Sequence, residues 1–208
     1  MVQRDTRRAL IDAAAEVIAL RGVEAASTRE IYARAGVKAP TLYHHFGDKQ
    51  GLLDAVVTDA FERYLAAKRA LRSRGNAAEV IRQGWDLHVS FAGANPALYR
   101  LMWPPGQAGL PPAAAESARS LREGFARLER RGALRPGVTP REAARTLSAA
   151  LSGVTAAIIR DPGDPGNDLM SATVRDAVID ALVAPSAASA TGPGRPDPAD
   201  PGNQREEQ

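Results

Sequence analysis

The chain has 208 residues, of which 44% are hydrophobic and 25% charged, with three histidines and no cysteine. That length buries a core without a covalent staple, and the lack of Cys excludes a disulfide framework, a thiolate zinc site and a Cys nucleophile. A pI near 9.6 accompanies a formal charge of only +3, because Arg dominates the bases and charge is close to balance.

Charge alone therefore does not argue for a nucleic-acid partner. Residues 1–50 sum to +2, 51–110 to +2, 111–184 to +1 and 185–208 to −2, so no segment is a polybasic arm. No apolar run is long enough to span a membrane, and the N-terminus lacks a signal-peptide core. The expectation is a cytoplasmic protein with no membrane partner.

Ala occurs 41 times, apolar residues recur three and four apart, and alternating β-rich runs are missing. The pattern predicts an all-α fold of about nine helices. A first helix spans about 4–20, with Leu10, Ile11, Ala14, Val17 and Ile18 on one face and Gly22 as its stop. Ser27-Thr28-Arg29-Glu30 has the spacing of a capping box and starts a short helix that ends at Ala35-Gly36. A second short helix holds Pro40 to His45. Asp48 caps a long helix from about Lys49 to Arg72, and further helices follow at about 77–93, 96–103, 114–131, 140–160 and 168–183. Thr139-Pro140-Arg141-Glu142 is a second capping box. Three regions result: 1–48, 49–184, and a Pro/Gly/Ser/Ala-rich tail, 185–208, expected to be disordered.

Two short helices joined by a tight Gly turn over about 27–46, after a longer amphipathic helix, form a helix-turn-helix pattern. Ile31, Ala35, Val37, Leu42 and Phe46 make the inward set. Lys38, Ala39, Thr41, Tyr43, His44 and His45 are left on the outer side or at the ends of the second short helix. Lys and Tyr suit phosphate oxygens, Thr and His base edges, and Ala a thymine methyl. Arg29 suits bidentate contact with guanine, and Lys49 sits at a helix N-terminus where free N–H groups favour phosphate. Lys is scarce, at 38, 49 and 68 only, and two of the three fall on this face. The adjacent His44-His45 pair is a poor metal site, since neighbouring helix positions diverge by roughly 100°.

The run Gly36-Val37-Lys38-Ala39-Pro40-Thr41-Leu42-Tyr43-His44-His45-Phe46, followed by Asp48-Lys49 and Leu52-Leu53, resembles the DNA-binding domain of TetR-type repressors over about residues 4–60. The resemblance implies a homodimeric transcriptional regulator, usually a repressor, that leaves double-stranded operator DNA when a small-molecule effector binds. It implies phosphate contacts for Thr28, Thr41, Tyr43 and Lys49, and base-facing places for Arg29, Lys38, Ala39, Pro40 and His44. Two residues depart from the pattern: Lys38 replaces a Ser-type cap, and Tyr32 stands where Ala is usual.

Trp85, Phe91, Tyr99 and Trp103 concentrate four of the ten aromatics within nineteen residues. Either a core or an apolar pocket with a few polar handles fits this composition. The candidate ligand-binding residues are Phe61, Tyr64, Trp85, His88, Phe91, Met102, Trp103 and Phe125. His88 is the best polar handle, and a satisfied core His is the plain alternative. The stretch also resembles a C-terminal domain type found in part of the TetR family, which names no ligand. Leu147, Ala150, Leu151, Val154 and Ile158, with Val174, Val178 and Leu182, form stripes on the last two helices. The resemblance favours their pairing with a second copy. No catalytic constellation is recognisable, so no enzyme activity, metal or cofactor is expected. A regulator gated by a protein partner, or an activator, is the alternative, and an enzyme with an incidental helix-turn-helix is a remote third.

Overall fold

The computed structural model describes residues 2–71, 76–104 and 112–185; most of the loop expected from Pro104 to Pro112 and the tail beyond 185 lie outside the described residues. The described residues form α1 (Val2–Ala25), α2 (Thr28–Arg34), α3 (Ala39–Phe46), α4 (Lys49–Ala70), α5 (Ala77–Ala94), α6 (Pro96–Met102), α7 (Pro112–Arg130), α8 (Pro140–Arg160) and α9 (Asn167–Leu182). One isolated antiparallel bridge, Leu134 to Val183, ties the end of α7 to the end of α9. No described helix is long and apolar enough to cross a membrane.

The boundaries follow local chemistry. Gly22 leaves helical geometry at φ 77°, so the regular part of α1 stops there although the coil turns on to Ala25. The Ser27 hydroxyl accepts the Glu30 N–H at 3.2 Å, which caps α2. The expected reciprocal bond is replaced, because the Glu30 carboxylate instead faces Arg21 at 3.7 Å. Asp48 accepts from the Gly51 N–H at 2.8 Å, and Thr139 with Glu142 completes a full capping box. Lys38 caps α3 by backbone conformation alone, with Pro40 in the first turn. Gly51 matters for a different reason: a Cβ there would stand 2.1 Å from the Phe46 carbonyl oxygen, so only Gly lets α4 start this close to the end of α3.

Three apolar clusters result. The first joins Leu10, Val17, Ile18, Ile31, Leu42, Leu52 and Val56, which fastens α1 to α4 into a head. Tyr32, Val37 and Phe46 pack against it, and the guanidinium of Arg7 lies over the Phe46 ring at 5.3 Å. The second holds Ile81, Trp85, Phe125, Leu147, Leu151, Val154, Ile158, Ile179 and Leu182, from α5, α7, α8 and α9. The third, smaller, contains Phe61, Tyr64 and Met102, with Phe91 and Trp103 against it. α6 stands between clusters: Ala97 and Leu101 pack on the head core, while Met102 belongs to the third cluster and Leu98 touches both.

Outside the cores, a ring of four charges also fastens the head. Arg8 bonds Asp12 and Asp59 at 2.8 and 2.6 Å, and Arg63 bonds the same two carboxylates at 2.9 Å each. Each pair is partly exposed and weak alone, but the closed ring links α1 to α4 through both members.

Candidate functional site

The predicted DNA face is intact as a surface. Arg29, Lys38, Pro40, Tyr43 and His44 are exposed, and Thr28, Ala39, Thr41 and Lys49 are half-buried. Tyr43 keeps 51% of its surface open, which removes it from the core. His45 is half-buried, with its ring 6.1 Å from Phe46, and acts in packing. The cations on this face also differ from their neighbours. Arg8, Arg21, Arg34 and Arg63 in the head each pair with a carboxylate. Among the described residues no carboxylate lies within ion-pair distance of Arg29, Lys38 or Lys49. Unpaired, solvated cations beside an exposed Tyr can meet phosphates without first breaking an internal bond.

The eight predicted ligand residues divide between two clusters. Phe61, Tyr64, His88, Phe91, Met102 and Trp103 come together between α4, α5 and α6. Trp85 and Phe125 do not join them. Trp85 turns toward α9 and donates its indole N–H to Ser171 Oγ at 2.9 Å, inside the second cluster with Phe125. Trp85 and His88 are three apart on one helix, close enough to share a face in the sequence yet aimed at different neighbours.

Trp103 is the hub of the aromatic cluster. Its ring centroid lies 4.7 Å from Tyr99, 4.9 Å from Phe61, 5.1 Å from His88 and 5.5 Å from Tyr64, mostly edge to face. The rings pack on one another, and Trp103 itself, at the C-terminal end of α6, is only half-buried.

A buried polar chain runs beneath these rings. Tyr64 Oη lies 2.6 Å from His88 Nδ1, His88 Nε2 lies 3.0 Å from Tyr99 Oη, and Tyr99 Oη lies 3.0 Å from Thr155 Oγ1. Thr155 donates to the Leu151 carbonyl at 2.7 Å. Counting protons fixes the direction of the chain from His88 Nε2 onward. A carbonyl only accepts, so the Thr155 hydrogen goes to Leu151 and Tyr99 donates to Thr155. His88 Nε2–H then donates to Tyr99. Burial together with Lys68 pushes the His88 pKa down to about 3, so the ring is neutral at pH 7 and its bare Nδ1 accepts from Tyr64. Burial raises both Tyr64 and Tyr99 above the usual phenol range.

Lys68 and Thr155 were not among the predicted site residues. Thr155 is an ordinary mid-helix Thr whose partner lies 56 positions away. Lys68 had one signal, scarcity of lysine. Its Nζ stands over the Tyr64 ring at 5.0 Å, and burial pushes its pKa down to about 8.

The predicted dimer stripe is covered in large part by the chain's own core. Leu147, Leu151, Val154, Ile158 and Leu182 are each 9% exposed or less and pack within the chain's own second cluster, with Ala150, Val174 and Val178 against it. Those five have almost no surface to offer a second copy, whereas Ala150, Val174 and Val178 are half-buried. The open faces of the same helices carry Ala149, Ser152, Gly153 and Ala156 on α8, and Leu169, Thr173 and Ala177 on α9.

Residues 10–56 match the family model for bacterial regulatory proteins of the tetR family. The match lies in the N-terminal head, which is similar to the DNA-binding region of that family. The chain is 36% identical over 61 residues to the class D tetracycline repressor protein of Escherichia coli, across 29% of this chain and 28% of the repressor. It is 36% identical over 102 residues to the transcriptional activator FasR of Mycolicibacterium smegmatis, across 48% of this chain and 47% of FasR. The chain therefore spans less than half the length of these curated relatives. The likeness extends further in three dimensions. TylP, a TetR regulator from Streptomyces fradiae, superposes with a TM-score of 0.65 at 25% identity, covering 86% of this chain and 87% of TylP.

Proposed function

We propose that the chain is a sequence-specific, cytoplasmic transcriptional regulator that binds a palindromic operator as a homodimer. It acts as a repressor released by a small apolar or aromatic effector. The observation that carries the reading is the α3 face: an exposed Tyr43 flanked by Arg29, Lys38 and Lys49, none held by an internal carboxylate, on a head that matches the tetR family model. The curated likeness to FasR supports an activator as the second reading, since FasR bears that name.

A second copy is proposed to dock on the open α8–α9 face, where Gly153 has free space above its Cα and Leu169 is 74% exposed. Small side chains permit close helix approach, and a two-fold pair presents two recognition helices to one DNA face. The effector is proposed to enter among Phe61, Tyr64, His88, Phe91, Met102 and Trp103. α6 touches both this cluster and the head core, so an effector that prefers one placement of α6 changes operator affinity by its differential binding.

Selection of DNA by the purified protein from a random pool tests this reading. The expected product is an inverted repeat whose half-sites lie one helical turn apart, roughly 34–36 Å, or a multiple of it. A pool that emerges without sequence enrichment would contradict it.

A further inference from the structure

The aromatic cluster carries one charge, Lys68, that no carboxylate among the described residues balances. Lys68 lies in the last turn of α4, half-buried, with its ammonium 5.0 Å from the centroid of the Tyr64 ring. Among the described residues no carboxylate lies within ion-pair distance of it. The other polar groups near it are already satisfied. His88 is neutral and bonded at both ring nitrogens, and the Tyr64 hydroxyl hydrogen is directed to His88. Contact with a ring face returns only part of the hydration an ammonium loses on burial. Burial accordingly depresses the Lys68 pKa to about 8, and the protonated form still predominates at neutral pH.

Around that cation the surfaces are aromatic. Tyr64 touches Phe91 and Trp103 at 5.5 Å each, and both of these rings keep part of their surface open. The arrangement is a cation at the edge of a partly open aromatic wall, with no anion beside it among the described residues. We infer that the effector is an organic anion with a flat aromatic body, its acid group held by Lys68 and its rings placed against Tyr64, Phe91 and Trp103. This rests on the effector-site reading above and narrows it from any apolar molecule to an aromatic carboxylate or sulfonate.

A matched pair of fluorescent probes tests it without DNA. Anilinonaphthalene sulfonate carries the acid group, and N-phenyl-naphthylamine has a similar ring system without it. Wild-type protein is expected to bind the sulfonate more tightly than the neutral amine. Lys68→Met is expected to weaken the sulfonate by about tenfold or more, the range for losing a charged partner, and to leave the amine within about twofold. Lys68→Arg keeps the charge and is expected to retain sulfonate binding. Thermal melts of both variants check that the fold persists. Equal sulfonate affinity in wild type and Lys68→Met, no preference for the sulfonate in wild type, or binding of neither probe would each overturn the inference. Because the titration contains no DNA, its failure leaves operator recognition standing, and failed DNA selection leaves a Lys68-dependent probe result standing.

Discussion

The α3 face and the aromatic cluster use similar side chains in opposite ways. Both contain Tyr, His and Lys. On the α3 face Tyr43, His44, Lys38 and Lys49 have no internal ion pair and stand in or near solvent. In the cluster, Tyr64, His88, Tyr99 and Thr155 form one directed hydrogen-bond chain that ends on a backbone carbonyl. Chemistry on the outer face is left open for a partner, whereas in the body it is closed on itself apart from Lys68. Function is therefore indicated by which polar groups lack partners, more than by which residue types are present.

That contrast can be broken first through the body. Trp85→Ala removes the largest buried side chain of the second cluster and leaves the Ser171 hydroxyl without its donor. The expected loss is about 3–5 kcal/mol of stability in denaturant titration. A loss below about 1 kcal/mol would show that α5, α8 and α9 are not held by this packing.

A smaller effect follows from the neutral state of His88. Its ordinary pKa is 6.5 and the fold depresses it to about 3, so between these values the unfolded chain binds a proton that the folded chain refuses. Stability from this group is complete above about pH 6.5 and is lost as pH falls below it. Between pH 7 and pH 5 the expected loss is about 2 kcal/mol. His88→Gln retains an amide able to donate and accept, and it should flatten that part of the profile. An unchanged pH slope in His88→Gln, measured from urea midpoints, would mean that His88 is not held neutral.

Much of the head was legible because its determinants are local. Ser27, Asp48 and Gly36 act within three or four residues of themselves, and the α3 motif is contiguous. The aromatic concentration was legible too, but its division was not. Trp85 and His88 share a helix face, and only the placement of α9 and of α6 sends one to Ser171 and the other to Tyr99. The α8 stripe shows the same limit. Periodicity identifies Leu147, Leu151, Val154 and Ile158 as an apolar face, but not whether the chain itself or a second copy covers it. Gly51 was illegible for a related reason, since the Phe46 carbonyl it accommodates belongs to another helix.

The most direct measurement is the DNA affinity of Tyr43→Ala and Lys49→Ala at fixed salt, on a fragment selected by the wild-type protein. Both positions lie outside the core, so melting should stay within about 0.5 kcal/mol of wild type. Tyr43→Ala is expected to weaken binding by about 1–3 kcal/mol, and Lys49→Ala to lower the salt dependence by about one phosphate contact. Wild-type affinity and salt slope in both variants would contradict the assignment of the α3 face as the DNA-reading surface.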